Sequence, residues 1–116
     1  MAHLLTLKKN TSEKGSMVVI EKCIPFEIKR VFYMYDVVGS RGNHSHKVTA
    51  QALTCVRGSC KITVGKTSLQ TFDLSSNDLC LIVEPLEWHQ MHDFSTDAIL
   101  MCLSSHEYDP NDFIKG

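Results

Sequence analysis

No run of this 116-residue chain is apolar for anything near the length of a bilayer-spanning helix, roughly 18 residues or more. Nor does any stretch repeat its apolar residues at helical spacing over a useful length, which argues against a helical bundle. Charge of one sign is missing as well. The net charge is −1 and there is no basic block, so a phosphate-neutralising surface for nucleic acid is not expected. The opening residues, Met1-Ala2-His3-Leu4-Leu5-Thr6-Leu7-Lys8-Lys9, lack the positive start and apolar core of a secretory signal. There is no Cys-x-x-Cys pair. The cysteines (Cys23, Cys55, Cys60, Cys80 and Cys102) are odd in number and sit in apolar contexts. They are expected as buried, reduced thiols of a cytoplasmic protein. Cys55 and Cys60 flank a Val-Arg-Gly-Ser turn and can face each other across a hairpin. Length and composition fit one domain, residues 1–116, with a single core.

What the chain does have is a β pattern. Runs rich in Val, Ile, Thr, Tyr and Phe are expected as strands over Met17–Ile20, Ile28–Val37, His46–Val56, Lys61–Val64, Ser68–Phe72, Leu79–Val83, His89–Phe94 and Ala98–Leu103. The breaks fall at Gly15-Ser16, Pro25, Gly39 to Asn43, Arg57-Gly58-Ser59, Val64-Gly65-Lys66, Ser75 to Asp78 and Glu84-Pro85. Only the tail, Tyr108 to Ile114, reads as the start of a short helix, with Asp109 as N-cap and Pro110 in first position. About eight short strands in a small domain predict an all-β sandwich or barrel of jelly-roll type, whose interior can be lined by inward side chains.

The chemistry concentrates in Arg41-Gly42-Asn43-His44-Ser45-His46-Lys47. Side chains two apart on a strand share a face, so His44 and His46 project together. Two imidazoles with an arginine nearby can move protons beside a bound anion, or hold a metal. His3 and His106, near the ends, read as surface residues.

Gly39, His44-x-His46, Gln51 and Gly58, followed later by Pro85 and His89, resemble the two motifs of the cupins. In metal-binding cupins three histidines and a glutamate hold the ion. Gln51 stands where that glutamate would be, a neutral and weaker oxygen ligand that counts against a metal. A narrower resemblance covers nearly the whole chain. Pro25 to Val37, Arg41 to Lys47, Cys55-Val56-Arg57-Gly58-Ser59-Cys60 and Trp88-His89-Gln90-Met91-His92-Asp93-Phe94 are similar to the nucleotide-sugar 3,4-ketoisomerases. These are metal-free cupins acting on dTDP-4-keto-6-deoxy-D-glucose. The resemblance implies a cupin jelly roll, a homodimer, no cofactor, a dTDP-linked keto sugar as partner, and in some relatives fusion to an acyltransferase. It also places Lys14 near the sugar. The loop between Asp36 and Arg41 is short for the family.

A 4-keto sugar has an acidified C–H at C3. Shifting the carbonyl to C3 needs a base for that proton, an enediol intermediate, a proton delivered to C4 and proton movement between the oxygens. Histidine suits these steps because its pKa lies near working pH. His44 is expected as the C3 base and His46 as its partner. Arg41 fits the diphosphate, since a guanidinium pairs bidentately with phosphate oxygens. Tyr33 and Tyr35 share a strand face, and Tyr35 is a candidate phenol beside the sugar. Lys47 points away from the histidines by strand alternation, which makes it either a surface lysine or one that reaches a phosphate from the partner subunit. Gln51, His89 and His92 complete the candidate substrate contacts, His89 and His92 lying on opposite faces of any strand that holds both. The competing readings are a 3,5-epimerase of the same keto sugar, whose motif lacks the second histidine, and a non-catalytic sugar- or metal-binding cupin.

Overall fold

A computed structural model describes residues 1–116. Twelve strands run β1 (His3–Thr6), β2 (Lys8–Ser12), β3 (Gly15–Val19), β4 (Arg30–Tyr35), β5 (Arg41–His46), β6 (Gln51–Arg57), β7 (Cys60–Gly65), β8 (Gln70–Leu74), β9 (Leu79–Val83), β10 (Trp88–His92), β11 (Ile99–Ser104) and β12 (Phe113–Lys115). They form two five-stranded sheets, ordered β1-β9-β6-β11-β4 and β12-β5-β10-β7-β8, plus a β2-β3 hairpin. All pairings between them are antiparallel. The two large sheets face each other as a jelly roll, in agreement with the fold class expected from the strand pattern.

Side-chain alternation explains which strands cover the interior. In β4, Arg30, Phe32 and Met34 turn inward while Val31, Tyr33 and Tyr35 are exposed. In β10, His89 and Met91 turn inward. Between the sheets Leu53, Ile62, Leu74, Leu81 and Leu100 are wholly buried, each removing about 1.5–3 kcal/mol worth of apolar surface from water. β6 is buried on both faces. Its outward Ala52 joins Leu7, Cys80, Ile82 and Leu103 in a second cluster under Val18, Ile20, Ile24 and Phe26.

Several sequence expectations change here. The stretch Gly39 to Asn43 was expected as a break, and β5 instead begins inside it. Gly42 and Asn43 both adopt positive φ, 92° and 62°, so turn-type residues serve as a bulge within a strand. The expected strand His46–Val56 is accordingly divided, His46 ending β5 and Gln51 opening β6. β1, β2 and β12 carried too little apolar alternation to be read, and every residue of β2 is exposed. The tail forms one 3-10 turn at Pro110–Asp112, capped by Asp109 as expected, and then a strand in place of a helix. Cys23 is exposed, whereas the other four thiols are buried and free.

Candidate active site

β5 and β10 pair so that His44 lies opposite His89, with a register shift just beyond that rung. Gly42 makes the approach possible. A Cβ there would sit 3.0 Å from the His89 carbonyl oxygen and 3.3 Å from Met91 Cε. The bulge then turns both His44 and His46 toward the interior. The ring centroids of His44 lie 4.9 Å from those of His46 and of His89. Phe113 of β12 packs against both motif histidines, at 4.6 and 4.7 Å.

Hydrogen bonds fix two of the three rings. His44 Nδ1 donates to the Gly42 carbonyl at 2.9 Å, and His89 Nδ1 to the Glu87 carbonyl over a longer 3.4 Å. A carbonyl oxygen only accepts, so each neutral ring carries its proton on Nδ1 and turns an Nε2 lone pair inward. Nε2 of His89 is buried with no partner, a costly arrangement unless a ligand supplies one. His46 has no protein hydrogen bond through its ring, so its tautomer is free. Burial and the neighbouring His44 push both His46 and His89 down to about 4, so both are neutral at pH 7. Gln51, also buried, donates through Nε2 to Ser104 Oγ at 3.3 Å.

These side chains line a cavity of about 150 Å³ between the sheets. It has room for a sugar ring but not for a whole nucleotide sugar. Arg41 lies at its mouth and also borders a surface shelf formed with Tyr35, Asp36, Val38 and Ser40. Arg30, from the opposite sheet, is a lining residue that sequence reading missed. Its guanidinium lies 4.3 Å from the Phe32 ring centre and 5.3 Å from that of Tyr108, and it makes no ion pair. The available signal was an arginine at the inward phase of the Arg30-x-Phe32-x-Met34 alternation. Phe113 and Tyr108 were missed because the tail carries no motif. Asp112 anchors it, its carboxylate accepting from Thr49 Oγ1 and from the Val48 N–H, the latter at 2.8 Å.

His44, His46, His89, Arg41 and Gln51 thus come together. Four other candidates do not join them. Tyr35 is 62% exposed, because Phe32 and Met34 take the inward phase of β4, and it meets the site only through the shelf beside Arg41. Lys14 stands in the exposed turn of the β2-β3 hairpin. Lys47 follows the end of β5 with its side chain exposed and its N–H donating to the Asp112 carbonyl at 2.8 Å. His92 is on the outer face of β10, where Nε2 lies 2.7 Å from Thr63 Oγ1. Three imidazoles without a carboxylate make a donor set that fits a borderline transition metal and not Mg²⁺ or Ca²⁺.

The family described as FdtA: WxcM-like, C-terminal matches residues 1–116. A TDP-4-oxo-6-deoxy-alpha-D-glucose-3,4-oxoisomerase of Aneurinibacillus thermoaerophilus is 43% identical over 117 aligned residues, covering 97% of this chain and 84% of that protein. A histidine-to-asparagine variant of the 3,4-ketoisomerase QdtA from Thermoanaerobacterium thermosaccharolyticum has been solved with TDP-4-keto-6-deoxyglucose. It superposes with a TM-score of 0.94 at 34% identity, covering 99% of this chain and 87% of that one. A dTDP-6-deoxy-D-glucose-3,5-epimerase of Legionella pneumophila shares the fold at a TM-score of 0.84 but only 13% identity, with 98% and 71% of the two chains covered. The chain belongs to the FdtA/WxcM-like family of sugar-nucleotide 3,4-ketoisomerases.

Proposed function

From this family membership we propose that the chain moves the keto group of TDP-4-keto-6-deoxyglucose from C4 to C3 through an enediol. The product is a 3-keto-6-deoxyhexose nucleotide, chemically ready for an aminotransferase that installs a 3-amino group. The observation that carries the assignment of roles is the pair of neighbouring histidines with unequal hydrogen bonding. His44 is held by the Gly42 carbonyl and aims its Nε2 lone pair into the cavity, which suits removal of the C3 proton. His46 has an unfixed tautomer and is neutral at pH 7, which suits carrying protons to C4 and between the oxygens. Arg41, at the mouth of the cavity, takes the diphosphate oxygens, with the nucleotide running out over the shelf beside it, while Arg30 on the opposite sheet stands level with Gln51. Gln51 and His89 line the sugar end. No step needs a metal, so activity is expected to survive EDTA.

The same reading extends to assembly. The exposed outer face of β4, with Val31, Tyr33 and Tyr35 beside that strand's free edge, supports a homodimer. In a dimer Lys14 and Lys47 can act in the partner's site, which their positions outside their own cavity favour. A cytoplasmic location fits the free thiols and the nucleotide-sugar substrate, and association with an acyltransferase rests on the family resemblance. NMR of TDP-4-keto-6-deoxyglucose with the protein in deuterium oxide tests the function. Deuterium at C3 with a relocated carbonyl is expected. Exchange at C3 and C5 with the carbonyl left at C4 would mean an epimerase, and no exchange at all would mean a binding protein.

A further inference from the structure

We propose that Glu87 is a positioning residue, whose buried carboxylate braces the turn Glu84-Pro85-Leu86-Glu87 and through that turn fixes His46 and His89 from behind. The effect on turnover rests on the isomerase reading, and the effect on the His89 ring does not. Glu87 is 4% exposed and lies outside the cavity that the histidines line. No cationic group pairs with it. A carboxylate removed from water without a counter-ion is costly unless hydrogen bonds satisfy it. Here both oxygens are satisfied by backbone. Oε1 accepts from the Glu84 N–H at 2.8 Å, and Oε2 from the Ala2 N–H at 3.0 Å. The first bond ties the end of the turn to its start. The second ties the turn to the chain entering β1. Hydrogen bonds to an ionised acceptor are about twice as strong as neutral ones.

The braced turn reaches two histidines. The Leu86 N–H donates to the His46 carbonyl at 2.7 Å. The Glu87 carbonyl accepts from His89 Nδ1 at 3.4 Å, already long for a hydrogen bond, so a small outward shift of the turn breaks it. Leu86 is the independent observation. Its φ is 71°, a left-handed conformation that a leucine keeps only where its surroundings impose it. The Leu86 side chain is exposed, so packing does not impose it. Two bonds across the turn do, from the Glu84 N–H to the Glu87 carboxylate and from the Glu87 N–H to the Glu84 carbonyl. Nor is the turn backed by close apolar packing. Behind Glu87 lies a second cavity, of about 230 Å³, lined mostly by polar residues that include Lys66, Thr67, Ser68 and Gln70. The carboxylate therefore does the holding, and losing it frees the turn to move.

Glu87→Ala tests it, read by steady-state kinetics, urea unfolding and NMR of the histidine ring nitrogens. His89 should lose its fixed Nδ1–H tautomer. Misplacing a reacting geometry by about 1 Å can cost about 10²-fold, so kcat should fall about ten-fold or more. KM should stay within roughly two-fold on that scale, because Arg41 and the shelf that meet the nucleotide lie apart from the turn. Glu87→Gln keeps one acceptor oxygen and should fall between wild type and Glu87→Ala in both readouts. It carries the test alone if the alanine variant fails to fold. A lower urea midpoint with wild-type kcat per folded molecule and an unchanged His89 tautomer would overturn the proposal, leaving Glu87 as a brace of the fold. A raised KM with unchanged kcat would overturn it too. If the wild type itself does not turn over the keto sugar, the isomerase reading falls and the ring NMR alone decides the positioning. A loosened His89 tautomer then upholds it, and an unchanged one overturns it.

Discussion

The interior has two ends built from the same strands, and they are filled in opposite ways. Pairing sets Ser104 of β11 level with Gln51 of β6 and Arg30 of β4, Cys102 level with Leu53 and Phe32, and Leu100 level with Cys55 and Met34. Each inward row therefore runs from polar to apolar in step with its neighbours. On the facing sheet the row His89, Met91 follows the same gradient. At the apolar end the leucines close the interior completely. At the polar end three imidazoles, an amide and the Arg30 guanidinium face a cavity that runs on past Phe32, Leu53, Met34 and Met91 to Arg41. The chain forgoes hydrophobic stabilisation at this end of its core, which lines the candidate site. Substitutions at the polar end should therefore change chemistry, and those at the apolar end stability.

The largest effect is expected at the histidine pair. His44→Asn should abolish both isomerisation and deuterium exchange at C3 while the variant still folds and binds nucleotide. His46→Asn should block product yet leave some exchange at C3. General acid–base groups supply about 10²- to 10⁴-fold in rate. Exchange that persists in His44→Asn and vanishes in His46→Asn would swap the two roles, and near-normal turnover in both would remove the catalytic reading of the pair.

Leu100→Ala should do the converse. Deleting a wholly buried leucine side chain costs about 2–5 kcal/mol, measured by urea unfolding. Turnover per folded molecule should hardly change, because Leu100 itself does not line the cavity that holds the histidines. A stable variant with depressed kcat would mean that the two ends are mechanically coupled.

Acid should act on the polar end first. His46 and His89 sit at about 4 in the folded chain against about 6.5 when unfolded. Between those values the unfolded state binds protons that the folded state refuses, so stability falls as pH drops from about 6.5 toward 4. The loss should be on the order of 3 kcal/mol for the pair, discounted for partial screening and for their mutual coupling. At Asp112 partial desolvation raises the carboxyl, but hydrogen bonds from Thr49 and Val48 prevail and hold it below its ordinary value, so it contributes only in stronger acid. Urea midpoints that stay level between pH 6.5 and 4.5 would show that the imidazoles are not buried in neutral form.

Arg41→Ala should raise KM for the sugar nucleotide by about 10- to 100-fold, the worth of one charge-assisted hydrogen bond at roughly 1.5–3 kcal/mol. An unchanged KM would place the diphosphate elsewhere on the rim, with Arg30 as the next arginine to replace.

How much of this could be read in advance follows from what is local. Strand alternation set Phe32 and Met34 against Tyr33 and Tyr35, and the His44-x-His46 spacing placed two imidazoles together. The levelling of Arg30, Gln51 and Ser104 could not be read, because it depends on register between strands far apart in sequence. The strand character of Arg41 to Asn43 was hidden by positive-φ residues that serve equally in turns. The tail that lays Phe113 over the histidines is held by Asp112 reaching back to Thr49, a long-range contact with no local signature.

The smallest effect, and the sharpest limit on the comparison, belongs to Tyr35. By sequence it was a candidate phenol beside the sugar, but β4 turns it outward at 62% exposure. Tyr35→Phe removes one hydroxyl from a surface side chain, and such changes usually stay within about ±0.5 kcal/mol. Both kcat and KM should stay within roughly two-fold of wild type on that scale, because the ring still forms the shelf beside Arg41. Steady-state kinetics decides the matter. A ten-fold fall in kcat would mean that the phenol enters a site that one chain does not contain, the cavity of a partner subunit reached across the exposed face of β4. The contrast between a reactive interior end and inert outer faces would then hold only within each subunit, and the working site would be built by two.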